Sequence, residues 1–103
     1  MSYQVVLQWS SEALDDDFER LVEIEDALIG GLGAIGVVDG HDAGSGEFNI
    51  FIFTDEPQAA FHKAKEILGG RKDWAEVRAA YRGISAEEYV VLWPRELLAF
   101  SVK

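Results

Sequence analysis

The segment Glu47–Thr54 constrains the fold more than any other part of the chain, because it is apolar on both sides. It is rich in β-branched and aromatic residues, which predicts a strand. Successive side chains of a strand point to opposite faces of a sheet. Five large apolar side chains divide in this way, with Phe48, Ile50 and Ile52 on one face and Phe51 and Phe53 on the other. Large exposed apolar patches are uncommon in monomers, so both faces of this strand need a cover.

Periodic patterns on either side of this strand predict the order β-α-β-β-α-β. Alternation of apolar and polar residues indicates strands, and apolar residues three or four apart indicate helices. The predicted elements are a strand at 3–9, a helix at 14–32, strands at 34–39 and 47–54, a helix at 60–68 and a strand at 77–82, with a further short strand at 89–93. The turn-rich residues 40–46 are predicted to form a hairpin loop.

Within the first predicted helix, Phe18, Leu21 and Leu28 fall on one stripe and are expected to be buried. The acids at 15–17 favour the positively polarised start of that helix. Asp55 followed by Gln58 predicts a capping box at the start of the second helix.

This order of elements is that of the ferredoxin-like βαββαβ plait, an α+β fold. We expect a four- to five-stranded antiparallel sheet with two helices on one face. Over residues 3–82 the chain resembles small proteins with this fold. One stretch is also similar to small uncharacterised bacterial proteins: Gly44-Ser45-Gly46-Glu47-Phe48-Asn49-Ile50-Phe51-Ile52, running on to Thr54-Asp55. The resemblance implies a fold and no activity. Residues 1–103 are expected to form a single domain, with residues 84–103 as a C-terminal extension.

Charge is distributed unevenly along the chain, whose formal net charge at pH 7 is −10. Residues 1–56 contain 13 acidic residues and one base, Arg20, which gives −12, whereas residues 57–103 give +2. A surface with this much negative charge repels phosphate backbones, and we therefore expect no nucleic-acid partner. The acids either attract a basic protein partner or keep the chain in solution.

Several chemistries are not expected for this composition. The sequence has no cysteine, and therefore no disulfide, thiolate nucleophile or zinc ribbon. The start of the chain does not have the pattern of a signal peptide, and no apolar run is long enough for a membrane span. A cytoplasmic location without membrane association is the resulting expectation, and no cofactor is predicted.

Gly31-Leu32-Gly33-Ala34-Ile35-Gly36 matches the dinucleotide-binding pattern G-x-G-x-x-G. That motif requires a strand before the glycines and a helix after them, so that the helix N-terminus holds a pyrophosphate. Here the helix comes first. The glycines are therefore interpreted as a helix end and a site of close packing.

Asp39, His41, Asp42 and Glu47 lie near one another in the predicted hairpin and are the candidate binding residues. Carboxylates and imidazole bind divalent cations, but the spacing does not fit an EF-hand, and turn chemistry explains Asp and Gly as well. No metal site is therefore assigned. No catalytic residue is assigned either, and His62 is expected to face solvent from the second helix.

Two functions remain open from the sequence. The first is a non-enzymatic interaction or regulatory domain of the inhibitor or immunity type, which presents the acidic first helix to a basic protein. The alternative is a small-molecule-binding protein or an enzyme of the dimeric α/β-barrel type. Its pocket is expected near five residues: Trp9, His41, Tyr81, Tyr89 and Trp93.

Phe51 and Phe53 are the predicted interface residues. We expect them on the sheet face away from the helices, covered either by residues 84–102 or by a second copy of the chain. A homodimer is the preferred version, because closed two-fold assemblies are the commonest oligomers.

Overall fold

In the first strand, Tyr3–Ser10 (β1), successive side chains point to opposite faces of the sheet, and one of these faces packs against the helices. The computed structural model describes residues 2–15 and 17–102. Val5, Leu7 and Trp9 point to one face of β1 and are fully buried. They share a core with side chains from both helices, so the two helices cover the same face of the sheet.

The protein has an α+β fold with a five-stranded antiparallel sheet and two helices. The remaining strands are β2 (Val37–Gly44), β3 (Glu47–Thr54), β4 (Arg78–Gly83) and β5 (Val90–Trp93), and the helices are α1 (Phe18–Gly31) and α2 (Pro57–Leu68). The strand order is β2-β3-β1-β4-β5, so β2 and β5 are the two edges. Within the described ranges, no helix is long and apolar enough to cross a membrane.

Helix α1 begins later than its apolar spacing predicts. Ser11–Leu14 forms a separate 3-10 turn, and Asp15 then adopts a left-handed conformation with φ of 55°. Asp17 caps α1, because its side chain accepts a hydrogen bond from the backbone N–H of Glu19. Of the three acids predicted at the helix start, Asp16 lies outside the described residues.

The core face of α1 differs from the predicted one at two positions, Phe18 and Ile24. Leu21 and Leu28 are fully buried, as expected, and Ile24 joins them. The prediction for Phe18 was wrong, since this residue is 48% exposed. As the first residue of the helix, Phe18 lies about 90° away from the centre of the buried stripe when residues are placed at the helical period.

The predicted loop at 40–46 is mostly strand. β2 continues to Gly44, which pairs with Glu47 across a turn of only two residues. Ser45 and Gly46 have φ values of 53° and 79°, the positive values that a tight hairpin turn requires. The loop prediction was wrong because it relied on the low strand propensity of the glycines. Pairing with β3 supplies hydrogen bonds that outweigh this low propensity. A bulge between Val38 and Gly40 absorbs one residue.

The predicted capping box at α2 is not formed. The carboxylate of Asp55 accepts a hydrogen bond from the backbone N–H of Ser2 at 2.9 Å. Thr54, which is fully buried, provides the side-chain hydrogen bonds at the junction between β3 and α2 instead. Its Oγ1 accepts from the N–H of Glu56 at 3.0 Å and donates to the carbonyl of Ile35 at 2.7 Å.

The glycines of the G-x-G-x-x-G match serve close packing, as interpreted. They follow α1 and precede β2, the reverse of a dinucleotide site. A Cβ on Gly31 would lie 2.6 Å from Cδ1 of Ile67, and one on Gly36 would lie 2.9 Å from Cγ2 of Ile52. Gly33 has a φ of +59°, which favours glycine as the chain leaves the helix.

The C-terminal segment covers part of the second face of the sheet. Val6 and Ala80 point away from the helices and are nevertheless fully buried. Nε2 of Gln8 on the same face donates to the carbonyl of Ser101 at 2.9 Å. Residues 84–102 are thus an extension that adds β5 to the edge of the sheet and then folds back over the second face.

Candidate functional site

The edge strand β2 lies in a part of the surface that has both exposed apolar and exposed acidic side chains. It pairs only with β3, so its other backbone edge has no strand beside it. Most of its residues are exposed. Together with the neighbouring exposed row of α1, it forms what we call the edge surface. Its members are Phe18, Val22, Glu25 and Ile29 of α1, residues 37–44 of β2, and Phe51 and Phe53 of β3.

On the helix side of β2, the edge surface is formed by a row of α1 residues at helical spacing. Phe18 and Ile29 at the two ends of the row are 48% and 61% exposed. The Phe18 ring lies edge-on to the His41 ring, with 5.2 Å between the centroids. This contact shows that the row faces β2.

On the other face of the sheet, Val37 of β2 lies opposite Phe53, and Gly40 lies opposite Phe51. Directly opposed residues share a face, so these side chains form one apolar patch. Val37 is 53% exposed, and both phenylalanines are half-buried. Gly40 has no side chain to cover the Phe51 ring. The edge surface therefore has apolar residues on both faces of the sheet, in the α1 row on one face and in this patch on the other.

Acidic side chains surround these apolar residues. Asp39 and Asp42 are exposed on β2, and Glu19 and Asp26 are exposed on the outer face of α1. Two bases near the helix are engaged by acids: Arg20 contacts Asp15 at 2.6 Å, and Arg71 contacts Glu23 at 3.7 Å. The edge surface is therefore electronegative as well as apolar.

His41 and Glu25 link the strand to the helix within this surface. Nδ1 of His41 lies 2.9 Å from Oε2 of Glu25, and the two side chains are 31% and 12% exposed. Glu25 interrupts the apolar spacing of α1 in the sequence. Its contact with His41 explains how a carboxylate is accommodated at a largely buried position, since such a group needs a hydrogen-bond partner.

The four candidate binding residues of the sequence do not converge. His41 faces the helices, whereas Asp42 faces the other side of the sheet, because neighbouring residues of a strand point in opposite directions. Asp39 lies in the bulge, and Glu47 is buried at the start of β3. No group of three or more potential metal ligands occurs among the described residues. Ligand binding by these residues remains a prediction, but not through one shared centre.

The pocket expected for the alternative function is not assembled either. Trp9 is fully buried in the core. His41 lies on β2 and Trp93 on β5, and these strands are at opposite edges of the sheet. Trp93 instead packs near Phe61, and the Lys65 ammonium lies 4.4 Å from the centre of its ring.

A cavity of about 200 Å³ lies elsewhere, between the second face of the sheet and the C-terminal segment. Its lining residues are Gln8, Glu47, Arg78, Ala99, Phe100 and Ser101. The hydrogen bond from Gln8 to the Ser101 carbonyl holds the segment on the sheet, and within the extension Phe100 packs edge-on against Tyr89. Arg82 donates to the carbonyls of Ile84 and Ala86 at the start of the same extension.

A buried polar network adjoins this cavity. Nε2 of Gln8 also donates to Oδ1 of Asn49 at 3.0 Å, and both residues are almost fully buried. Nδ2 of Asn49 has no hydrogen-bond partner among the described residues. Gln8, Asn49 and Arg78 were not among the predicted site residues. The signal that could have found them is that each is a polar residue within a strand that also has buried apolar residues.

Comparison with protein-family models, with curated proteins and with solved structures found no match to this chain. Functional inference therefore depends on the geometry of the edge surface and of the cavity.

Proposed function

We propose that the protein is a non-enzymatic interaction domain, whose edge surface binds an extended, basic segment of a partner protein. The observation that carries this proposal is that exposed apolar side chains lie next to an edge strand on both faces of the sheet. Phe18 and Ile29 lie on one side, and Val37 lies on the other. A partner strand added beside β2 gains backbone hydrogen bonds and covers these side chains.

The charge of the surface supports a basic partner. Glu19, Asp26, Asp39 and Asp42 are exposed around the apolar residues. Opposite charges accelerate association and select among partners. A second copy of this chain would bring a second acidic edge against the first, and like charges would oppose that pairing. Regulation of a basic protein by an inhibitor or immunity-type domain fits this chemistry.

The second edge of the sheet is a poorer docking strand. β5 has four residues, whereas β2 has eight. The extension that contains β5 also folds back over the sheet next to it. Natural proteins protect long edge strands with bulges and charges, and β2 has both. Such protection disfavours uncharged strands and leaves a basic strand as the complementary partner.

We test the proposal with a defined peptide of eight residues, the length of β2, in which valine alternates with lysine. The first control is the same peptide N-methylated on alternate residues, which keeps the side chains and removes backbone donors. The second control replaces lysine with glutamate. Binding is followed by amide NMR shifts of the protein, and we expect the valine–lysine peptide alone to shift residues 37–44 and the facing row of α1.

Charge-reversed variants make the test specific to the edge. Asp39→Lys combined with Asp42→Lys should weaken peptide binding at least tenfold. The matched control, Glu87→Lys combined with Glu88→Lys, makes the same charge change at exposed positions of the C-terminal extension and should bind as the wild type. Equal weakening by both pairs would show nonspecific charge attraction. Shifts outside the edge surface would also contradict the proposal.

The natural partner is then sought with the same variants as bait in host extract. We expect a basic protein that is captured by the wild type and by the control pair, and lost with the edge pair. A partner that the Asp39→Lys, Asp42→Lys variant still captures would bind elsewhere on the molecule and would contradict the proposal.

We also propose that the fold is the ferredoxin-like plait extended by a fifth strand. Two β-α-β crossovers, β1-α1-β2 and β3-α2-β4, support this assignment, as does the position of β1 between β3 and β4. An experimental structure with a different strand order would overturn it.

A further inference from the structure

The cavity under the C-terminal segment combines both signs of charge with buried amides. Glu47 is 5% exposed, and Arg78 is half-buried at the start of β4. Within the part of the chain that the structure describes, no salt bridge engages the Arg78 guanidinium. The chain has a net charge of −10, so a half-buried cation at a cavity wall marks a place where a negatively charged group can bind. A guanidinium presents a planar fork of donors that matches a carboxylate.

Apart from the Ser101 hydroxyl, which donates or accepts, the remaining polar groups of the wall are acceptors. The Gln8 amide uses its nitrogen for Asn49 and for Ser101, so its carbonyl oxygen is the group left to face a ligand. The Glu47 carboxylate has several acceptor positions, so a contact within the chain does not exhaust them. These acceptors suit an ammonium group. The cavity therefore offers a donor fork on one side and acceptors on another.

We propose that this cavity binds a small zwitterion of the amino-acid class. Arg78 would bind its carboxylate, and Glu47 with Gln8 would bind its ammonium group. A simple anion is disfavoured because the whole chain is strongly negative, whereas a zwitterion has no net charge to be repelled. The volume of about 200 Å³ limits the ligand to a small molecule.

The C-terminal segment forms one wall of the cavity and serves as its cover. Ala99, Phe100 and Ser101 line the cavity. The Gln8 hydrogen bond joins the segment to the sheet, and the Tyr89–Phe100 contact packs the end of the extension against its start. A ligand that bridges the sheet and the segment favours the closed arrangement, because it contacts both. This proposal is independent of the edge surface, since Gln8, Glu47 and Arg78 of the cavity lie on β1, β3 and β4 and none of them is a member of that surface.

Thermal unfolding and calorimetry test the proposal on the full chain. The probes are glycine, β-alanine and 4-aminobutyrate, with acetate and methylammonium as singly charged controls at matched ionic strength. We expect a saturable rise in Tm with at least one zwitterion and with neither control ion, because a ligand stabilises the state that it binds. The variants Arg78→Gln and Glu47→Gln should weaken binding at least tenfold. Arg95→Gln and Glu96→Gln, at exposed positions of the same extension, should leave it unchanged.

Three results would overturn the proposal. They are the absence of a saturable effect of any zwitterion on the wild type, an equal effect of acetate, and unchanged binding by Arg78→Gln. If a cavity variant does not fold, the test uses the side-chain amide NMR signals of the wild-type protein instead. The Gln8 signals should shift with the zwitterion that binds and stay in place with acetate and methylammonium, whereas a response to acetate alone would show an anion site.

Discussion

The imidazole of His41 and the carboxylate of Glu25 lie 2.9 Å apart, and their contact joins the edge strand β2 to helix α1. The two residues are 16 positions apart in the chain. This contact holds His41 on the helix side of the strand, away from the neighbouring Asp42 on the other side. It therefore explains why the acids and the histidine of the hairpin do not form a common centre.

The separation predicts that divalent cations leave the protein's stability unchanged. Calcium, manganese or zinc should not move Tm, because no described cluster supplies three ligands. The measurement is thermal unfolding over a metal titration, with EDTA-treated protein as the reference. A saturable rise in Tm that disappears in His41→Ala would show that a metal site does form.

A comparison of Leu21 with Phe18 tests the assignment of the helix face. Leu21→Ala should lower the free energy of unfolding by about 2–5 kcal/mol, because it empties a fully buried position. Phe18→Ala should cost less than about 1 kcal/mol, because this residue is 48% exposed. Denaturant unfolding measures both values. A larger loss for Phe18 than for Leu21 would contradict the assigned core.

The buried Gln8–Asn49 pair predicts a strongly non-additive double-mutant cycle. Gln8→Leu alone leaves buried polar atoms of Asn49 without a partner, and should cost on the order of 1–3 kcal/mol. Adding Asn49→Leu removes the remaining polar group, so the double variant should be less unstable than the sum of the single ones. Chemical denaturation of the four proteins gives the coupling energy. Additive losses would mean that the two amides do not interact.

Two glycines should respond to alanine with opposite signs. Gly36→Ala should destabilise the protein, because its Cβ would lie 2.9 Å from Cγ2 of Ile52 and 3.2 Å from the carbonyl oxygen of Phe53. Gly30→Ala should stabilise it by roughly 0.5–1 kcal/mol, because this helical position has open space around it. Thermal melts of the two variants check the difference. Stabilisation by Gly36→Ala would show that β2 does not pass so close to β3.

Oligomeric state tests what covers the second face of the sheet. We expect a monomer by light scattering over a dilution series, and Phe51→Asp should leave it monomeric, because the chain's own extension packs on this face. Truncation after Gly83 should cause aggregation, since it uncovers Val6 and Ala80.

The homodimer suggested by the sequence is the competing outcome of the same experiment. A wild-type dimer that Phe51→Asp converts to monomers would establish an interface through Phe51 and Phe53. A monomer whose truncated form stays folded and soluble would contradict both kinds of cover.

The strands and helices were largely predictable because their signals are local. The strand at 47–54 follows from its β-branched and aromatic composition, and the burial of Leu21 and Leu28 follows from helical periodicity. Residues 40–46 were not predictable in this way. Their glycines favour a loop, and only pairing with β3 makes most of them strand.

By itself, the sequence determined the order of the elements, the uneven charge, and the need for a cover on both faces of β3. Tertiary structure alone decided which side chains meet. It brought His41 to Glu25, Gln8 to Ser101, and the C-terminal segment to the second face of the sheet. Periodicity reports which way a side chain points, whereas a contact between distant residues depends on how whole elements pack. The edge surface and the cavity are both products of that packing.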